Sequence, residues 1–447
     1  MNRKQEIALL LKRNSWERAE QLCQTEILHH PTDPETWFYL GAVQSVQGRR
    51  TEAIRSLKAA ASYIHDDVAL RSNGHDVSDI EPKDSLLLRT AQALLRLRAY
   101  ADAMPLFERM AFGLPPVILG LGRCRWGLGR YEEALINFHG LWQARPQWAD
   151  LTLTYARALL SLDSLEQAEL ALTGLVDIYP NEPEVLHQYT TFLLSQQGDE
   201  AAWQWISQRH VGTPSMKFAL LRRALMERHD DIDAENLQAV PGNERELSQW
   251  ESYQALRQLE LKQAAGSVRW FGDNTALIKH VSQCLPAQGA VVECGVFYGR
   301  SLRLLANWTR RDCHGFDSFA GLPEAWSRQE PAGAYSTQGQ IPSLPPNVTL
   351  HQGWFEDTLP DFVQQLDNDV ALLHVDCDLY SSTQTVLQHL LPKLKPGAII
   401  VFDDYAGYPE WREHEAKAWQ EAMAAHGVKA ELIAAVMLGR SAAFQLQ

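Results

Sequence analysis

The apolar positions of this chain follow two different rules. In the first half they return at helical spacing, and the pattern itself recurs every 34 residues. Ala19 and Ala53 are one period apart, as are Ala134, Ala168 and Ala202, and Pro146, Pro180 and Pro214 keep the same step. From Ala290 onward the apolar residues gather instead into short runs bounded by glycine, proline and polar clusters. These are Ala290-Val291-Val292-Glu293-Cys294, His314-Gly315-Phe316, Val348-Thr349-Leu350, Ala371 to Val375 and Ala398 to Phe402. Runs of this length read as buried parallel strands, and helical stretches such as Leu302 to Trp308 alternate with them. Alternation of this kind implies right-handed βαβ crossovers and a mostly parallel sheet. Glu431 to Val436 and Ala442 to Leu446 would close it as an antiparallel edge hairpin.

The repeating half has its own internal grammar. One unit reads Trp37, Leu40, Gly41, Gly48, Ala53, Leu57, Ala60; another reads Ile118, Leu121, Gly122, Gly129, Tyr131, Ala134, Phe138, Pro146. Small residues let two helices approach, bulky ones fill the gap, and proline ends the second helix. The period and spacing resemble the tetratricopeptide repeat. Leu87, Ala91, Tyr100, Ala103, Phe107 and Pro115 give a further unit, displaced by a loop-like insertion from Tyr63 to Lys83. About six repeats fit into residues 1–214 as an α-solenoid. Its concave face would suit a peptide or another subunit, whether a protein partner or a second copy. The other reading is a scaffold that only dimerises or positions the second half. Residues 215–264 stay helical in character and read as a cap and linker, broken around Pro241-Gly242. Residues 265–447 form the Rossmann-like α/β domain.

With 447 residues, the chain is long enough for two such domains. A net charge of −14 without a basic stripe argues against nucleic acid. The six cysteines are scattered without a Cys-x-x-Cys spacing, which suits a reducing compartment. The apolar stretch Ile7 to Leu11 is too short for a signal-peptide core, and no run approaches a membrane span. The expected location is the cytoplasm.

The chemistry lies at the strand ends. Val375-Asp376-Cys377-Asp378 and Asp403-Asp404 each follow an apolar run, so both acidic pairs lie at the carboxyl edge of the sheet, where open α/β folds place ligands. Carboxylates converging there would repel one another unless a hard divalent cation held them. Glu293-x-Gly295-x-x-x-Gly299 lacks the Lys-Ser/Thr of a phosphate-cradling loop. It disfavours a pyrophosphate ligand, whereas the following helix N-terminus and Ser301 could hold a carboxylate. Asp317, 22 residues after Gly295, stands where an acid accepts ribose hydroxyls. A ribose, a carboxylate and no phosphate describe S-adenosylmethionine.

Five ordered motifs over roughly residues 265–447 resemble the macrocin O-methyltransferase family. They are Glu293-Cys-Gly, Asp317-Ser-Phe-Ala-Gly-Leu-Pro, Gly353-Trp-Phe-Glu-Asp-Thr-Leu-Pro, Asp376-Cys-Asp-Leu-Tyr-Ser-Ser-Thr and Asp403-Asp-Tyr. Members are class I enzymes that methylate sugar hydroxyls with S-adenosylmethionine and a divalent metal. The compact antibiotic-tailoring members lack repeats; the resemblance implies a sugar hydroxyl as acceptor, free or attached to a lipid, polyketide or protein, in a glycan or glycosylated product. The resemblance implies that Asp376, Asp403 and Asp404 hold Mg2+ and that Asp378 is the general base. It places Glu293, Gly295, Gly299, Ser301, Asp317, Ser318, Gly353, Trp354 and Phe355 around the donor. Other readings stay open: Asp378 as a cap of a helix beginning near Ser381, His374 as a core or supporting residue, Trp354 as core or an adenine platform. Tyr405 and Tyr408 could line the acceptor site, and Glu324 to Pro346 is a lid or a disordered segment. Two rival functions are a metal-dependent glycosyltransferase using the Asp-x-Asp pair, and a repeat scaffold carrying an inactive methyltransferase domain.

Overall fold

The computed structural model describes the chain except residues 1–2, 65–84, 111–112, 210–214, 230–240, 264–267, 328–329 and 367–368. The insertion expected at Tyr63 to Lys83 and most of the break before Pro241 therefore lie outside the described residues. Contacts divide the chain into two compact units, Met1–Leu151 with Glu324–Ala332, and Thr152–Pro323 with Gly333–Gln447. The repeat pattern and the compact units thus divide the chain at different places.

Six helix pairs follow one another among the described residues from Arg3–Lys12 to Asp199–Ser207, matching the repeat count read from the sequence. Their packing is the one the small-residue positions require. An added Cβ on Gly41 would lie 2.8 Å from Leu57 Cγ, and one on Gly122 would lie 2.9 Å from Phe138 Cδ1. Each glycine therefore sets how closely its helix meets the next. In the second unit, helices Met216–Arg228 and Glu244–Lys262 continue the helical stack. The Tyr253 hydroxyl donates to the Ala224 carbonyl at 3.1 Å, and Tyr253 packs edge-on against Trp270 at 5.3 Å. Arg228 bridges Asp199 and Glu260, at 2.7 and 2.9 Å.

The sheet has eight strands: β1 (Arg269–Phe271), β2 (Ala290–Cys294), β3 (Cys313–Asp317), β4 (Val348–Gln352), β5 (Val370–Val375), β6 (Leu394–Phe402), β7 (Ala430–Val436) and β8 (Ala442–Leu446). Their order is β1-β7-β8-β6-β5-β2-β3-β4. From β6 to β4 the pairings are parallel, and β8 runs antiparallel to both β6 and β7. One expectation is corrected: the closing hairpin is not the edge. β1 pairs in parallel with β7 outside it, and the Met437 amide donates to the Phe271 carbonyl at 2.8 Å. Three residues are too few to show a strand period, so β1 leaves no signal in the sequence.

Every residue of β2 and β5 is buried. The chain leaves β2 to build β3 and β4 on one side, then crosses back to build β5 and β6 on the other. The crevice between β2 and β5 is therefore the topological switch point of an open α/β sheet. Register levels the strand ends there: Cys294 pairs with Val375, and Val375 with Phe402. The next residues of each strand, Gly295, Asp376 and Asp403, emerge side by side.

Candidate active site

Backbone bonds continue past the last paired residues and hold this row together. The Asp376 amide donates to the Cys294 carbonyl at 2.8 Å, Asp403 to Val375 at 2.9 Å, and Gly295 to Phe316 at 2.9 Å. Gly295 has φ +94, and an added Cβ would lie 2.6 Å from the Asp376 carbonyl carbon. Only glycine allows β2 to end so close to β5.

The expected metal set converges. Asp376, Asp403 and Asp404 each offer an oxygen, and these atoms lie within 4.8 Å of one another. Asp378 is not part of that triad but hydrogen-bonds Asp404 through its side chain. Its backbone is left-handed, with φ +63, a conformation that short polar side chains tolerate better than most. The helix that follows is Tyr380–Leu390, with Leu379 at the cap and no side-chain cap bond, so the helix-cap reading of Asp378 is overturned. Burial, then neighbouring acids, push the carboxyls of Asp376, Asp378 and Asp404 upward. For Asp376 the chief neighbour is Asp403, and for Asp378 it is Asp404.

Four residues that the motifs did not mark complete this cluster. Glu415 is fully buried, accepts the Asp404 amide through Oε2 at 3.0 Å and leaves Oε1 without a partner. Burial and the charges of Asp404, Asp378, Asp376 and Asp403 raise its carboxyl well above the usual range. Arg440 donates to Asp404 Oδ1 at 2.5 Å, with its guanidinium carbon 5.2 Å from the Tyr408 ring centre. Asn274 Nδ2 and Ser441 Oγ donate to Asp403 Oδ1 at 3.0 and 3.2 Å. None lies in a motif: Asn274 and Glu415 come from helix starts, and Arg440 and Ser441 from the turn between β7 and β8.

His374 belongs to the supporting layer. Its Nδ1 lies 2.8 Å from Glu293 Oε2, and both side chains are buried. Burial works to lower the imidazole pKa; the Glu293 hydrogen bond and the charges of Glu293, Asp376 and Asp403 overcome it and hold it at about 9. Glu293 keeps one buried oxygen without a partner.

Around the glycine loop, Asp317 acts first as a clamp. Its Oδ2 accepts from the Val296 and Phe297 amides at 2.8 and 2.7 Å, and Oδ1 accepts from Phe319 at 2.7 Å. A carboxylate has about four acceptor positions, so one remains at Oδ1 for a ligand hydroxyl. Ser318 Oγ accepts from Ala320 at 3.1 Å and keeps its own proton to donate. Gly299, with φ +72, precedes the helix Arg300–Thr309, whose first turn carries Ser301. The Gly353 amide donates to the Asp317 carbonyl at 3.0 Å, linking the Gly353-Trp354-Phe355 stretch to this loop. Trp354 is 37% exposed, which removes the core reading and leaves its ring available as a platform. Tyr405 is instead a core residue, packed on Phe402 and Phe444, and Tyr408 is buried beside Arg440. The base of the segment after Leu322 is closed by paired bonds, Leu322 amide to Ala334 and Gly333 amide to Leu322, both 2.8 Å.

Comparison with known proteins agrees with this layout. Residues 292–405 match a family described as a methyltransferase domain, and residues 126–187 match the tetratricopeptide repeat. A tetracenomycin-type enzyme of Streptomyces olivaceus, 8-demethyl-8-(2,3-dimethoxy-alpha-L-rhamnosyl)-tetracenomycin-C 4'-O-methyltransferase, is 32% identical over 26% of this chain and 53% of its own length. Mycinamicin III 3''-O-methyltransferase of Micromonospora griseorubida is 29% identical over 32% of this chain and 64% of its own. The chain therefore spans between about half and two thirds of the curated relatives it matches. Among solved structures, the O-methyltransferase NovP is 25% identical with a TM-score of 0.31, covering 38% of this chain and 78% of that one. The matches assign a methyltransferase domain to the sheet and tetratricopeptide repeats to the helical stack.

Proposed function

We propose that this chain is an S-adenosylmethionine- and divalent-metal-dependent O-methyltransferase acting on a sugar hydroxyl. The observation that carries the reading is the convergence of Asp376, Asp403 and Asp404 beside Asp378 at the switch point. The donor set suits a hard cation such as Mg2+: it is all oxygen, partly buried, and crowded with acids that burial drives toward protonation. Bound there, a divalent cation would lower the pKa of a coordinated hydroxyl. Asp378, beside the triad and hydrogen-bonded to Asp404, is the residue placed to take the hydroxyl proton. Arg440 and Asn274 hold the Asp404 and Asp403 carboxylates in place. On the donor side, Gly295 and Gly299 let the backbone close in, Ser301 and the helix start face a carboxylate, Asp317 and Ser318 offer partners for ribose hydroxyls, and Trp354-Phe355 covers the base. Glu293 supports this wall through His374. Methyl transfer then needs alignment more than activation, and holding two reactants in line contributes roughly 7–11 kcal/mol.

A sugar acceptor is supported by the name of the Streptomyces olivaceus relative, which includes a rhamnosyl group, and by the chelating arrangement of acids. The repeats make a macromolecular glycoside or a protein partner a natural addition. We read residues 1–214 as the solenoid, 215–264 as its helical extension and 265–447 as the catalytic domain, in the cytoplasm. Six free cysteines fit that compartment, and among the described residues no helix is long and apolar enough to cross a membrane. Calorimetry on the full chain tests the reading. S-adenosylhomocysteine should bind and uridine diphosphate should not. The reverse would favour a metal-dependent glycosyltransferase, and binding of neither would favour an inactive domain.

A further inference from the structure

Asp403 is tied, through a short chain of hydrogen bonds, to a helix of the repeat stack. Its Oδ1 accepts from Asn274 Nδ2 at 3.0 Å. Asn274 is the first residue of helix Asn274–Ser282, whose cap is Asp273, with Oδ1 accepting from the Ala276 amide at 2.9 Å. The other Asp273 oxygen accepts from Ser195 Oγ at 2.6 Å, and the same hydroxyl accepts from the Gly272 amide at 2.9 Å. Ser195 lies in the last turn of helix Pro183–Gln196 and is buried. Both the donor and an acceptor position of its hydroxyl are therefore spent on one three-residue turn.

Backbone packing reinforces the link. An added Cβ on Gly272 would lie 2.6 Å from the Thr191 carbonyl carbon, so the turn rests directly on the helix backbone. Arg269, in β1, reaches the Ser195 carbonyl at 3.5 Å. The turn Gly272-Asp273-Asn274 thus has its position set by the helix and carries one of the two side chains, with Ser441, that donate to Asp403 Oδ1. A neutral amide is well suited to that task. It occupies one oxygen of the carboxylate, fixes its rotation and brings no positive charge to compete with a cation.

We propose that Ser195 and Asn274 are positioning residues of the metal site: Asn274 orients the Asp403 carboxylate, and Ser195 fixes the turn that presents Asn274. This rests on the reading of Asp403 as a metal ligand. The helix Pro183–Gln196 is then part of the working enzyme, and the metal affinity of the site depends on a residue far from any methyltransferase motif.

The test is Mn2+ titration of the full chain, followed by loss of the free-ion electron paramagnetic resonance signal, with circular dichroism melts of every variant. Removing a group that orients a metal ligand costs roughly 10–100-fold in affinity, and that is the loss expected for Asn274→Ala. Ser195→Ala should lose affinity by a smaller factor, because the turn keeps its packing against Thr191. Ser195→Thr, which retains the hydroxyl, should recover it. Since Ser195 acts through Asn274, the double variant should bind no more weakly than Asn274→Ala alone. Where Ser195→Ala does not fold, Ser195→Cys, close in size and a weaker donor, carries the same comparison. Unchanged Mn2+ affinity in Asn274→Ala, or full multiplication of the two single losses, overturns the proposal. Should the unaltered protein bind no Mn2+, it is the metal reading itself that fails.

Discussion

Replacing Gly295 by alanine tests the switch-point geometry most directly. The residue has φ +94, and the new Cβ would lie 2.6 Å from the Asp376 carbonyl carbon. Non-bonded carbons settle at about 3.5–4.0 Å, and the Asp376 carbonyl oxygen lies closer to the new Cβ than its carbon does, so one of the two backbones must retreat by more than about 1 Å. Strain in the left-handed region adds about 1–3 kcal/mol, and forcing extra volume into a packed site adds a further ~1–3 kcal/mol. Gly397 provides the control: its φ is +90, and an added Cβ would meet nothing within 4 Å. Gly397→Ala should therefore suffer the strain alone. The difference between the two variants is the clash, about 1–3 kcal/mol, or roughly 2–12 °C in melting temperature at about 2–4 °C per kcal/mol. The displaced backbone carries Asp376, and an error of about 1 Å at a reacting centre costs on the order of 10²-fold in rate. Paired thermal melts, with S-adenosylhomocysteine and Mn2+ titrations, measure both effects. If the two variants melt together and bind equally, β2 and β5 do not meet as tightly as described, and the site's geometry must be redrawn.

Three further outcomes are expected. Asp378→Asn should keep Mn2+ and donor binding while turnover falls roughly 10²–10⁴-fold, with partial recovery at high pH; loss of Mn2+ would make it a ligand instead. Asp317→Ala should release the Val296, Phe297 and Phe319 amides and weaken S-adenosylhomocysteine binding by at least about tenfold, since hydrogen bonds to a charged partner contribute roughly 1.5–3 kcal/mol. Its Mn2+ affinity should stay within about twofold, because sites without shared partners behave independently. Chelation should destabilise the protein more at about pH 8 than at about pH 5.5. The carboxyls of Asp376, Asp378, Asp404 and Glu415 are raised in the folded state, so their contribution is present at low pH and lost as pH rises through the raised values, where only a cation can compensate. Equal melting shifts at the two pH values would refute this.

The sequence makes some parts of this protein easy to read, for physical reasons. The repeats are legible because helix pairs can approach only where Gly41 or Gly122 faces Leu57 or Phe138, and that demand recurs with each unit. The central strands are legible because both of their faces are buried. Asp376, Asp403 and Asp404 can be placed because acids directly after such strands have only one edge on which to emerge. β1 cannot be read, since Arg269-Trp270-Phe271 is shorter than any period. Glu415, Arg440, Asn274 and Ser195 cannot be read either. Each acts through one or two contacts with residues outside its own element, and so few contacts leave no pattern. Asp317 shows the intermediate case: its position is legible, but its clamp on three backbone amides is not.

The balance of charge at the switch point explains why these unreadable residues matter. Asp376, Asp378, Asp403, Asp404 and Glu415 crowd the ends of β5 and β6, and Glu293 lies behind them. Against them stand the Arg440 guanidinium on Asp404 and the His374 imidazole on Glu293. Asp376, Asp378, Asp404 and Glu415, driven toward protonation by burial and neighbouring acids, cannot all ionise together in this setting without a large penalty. A fold selected for stability alone would place apolar groups there, as it does almost everywhere else along β2 and β5. Stability is surrendered at this one place, and the deficit is of the kind a divalent cation removes. The neutral donors Asn274 and Ser441 then make sense beside Asp403: a lysine in either position would cancel the charge and leave nothing for a metal to do. On the proposed reading, keeping the pocket short of positive charge would couple its occupancy by a cation to the order of its acids.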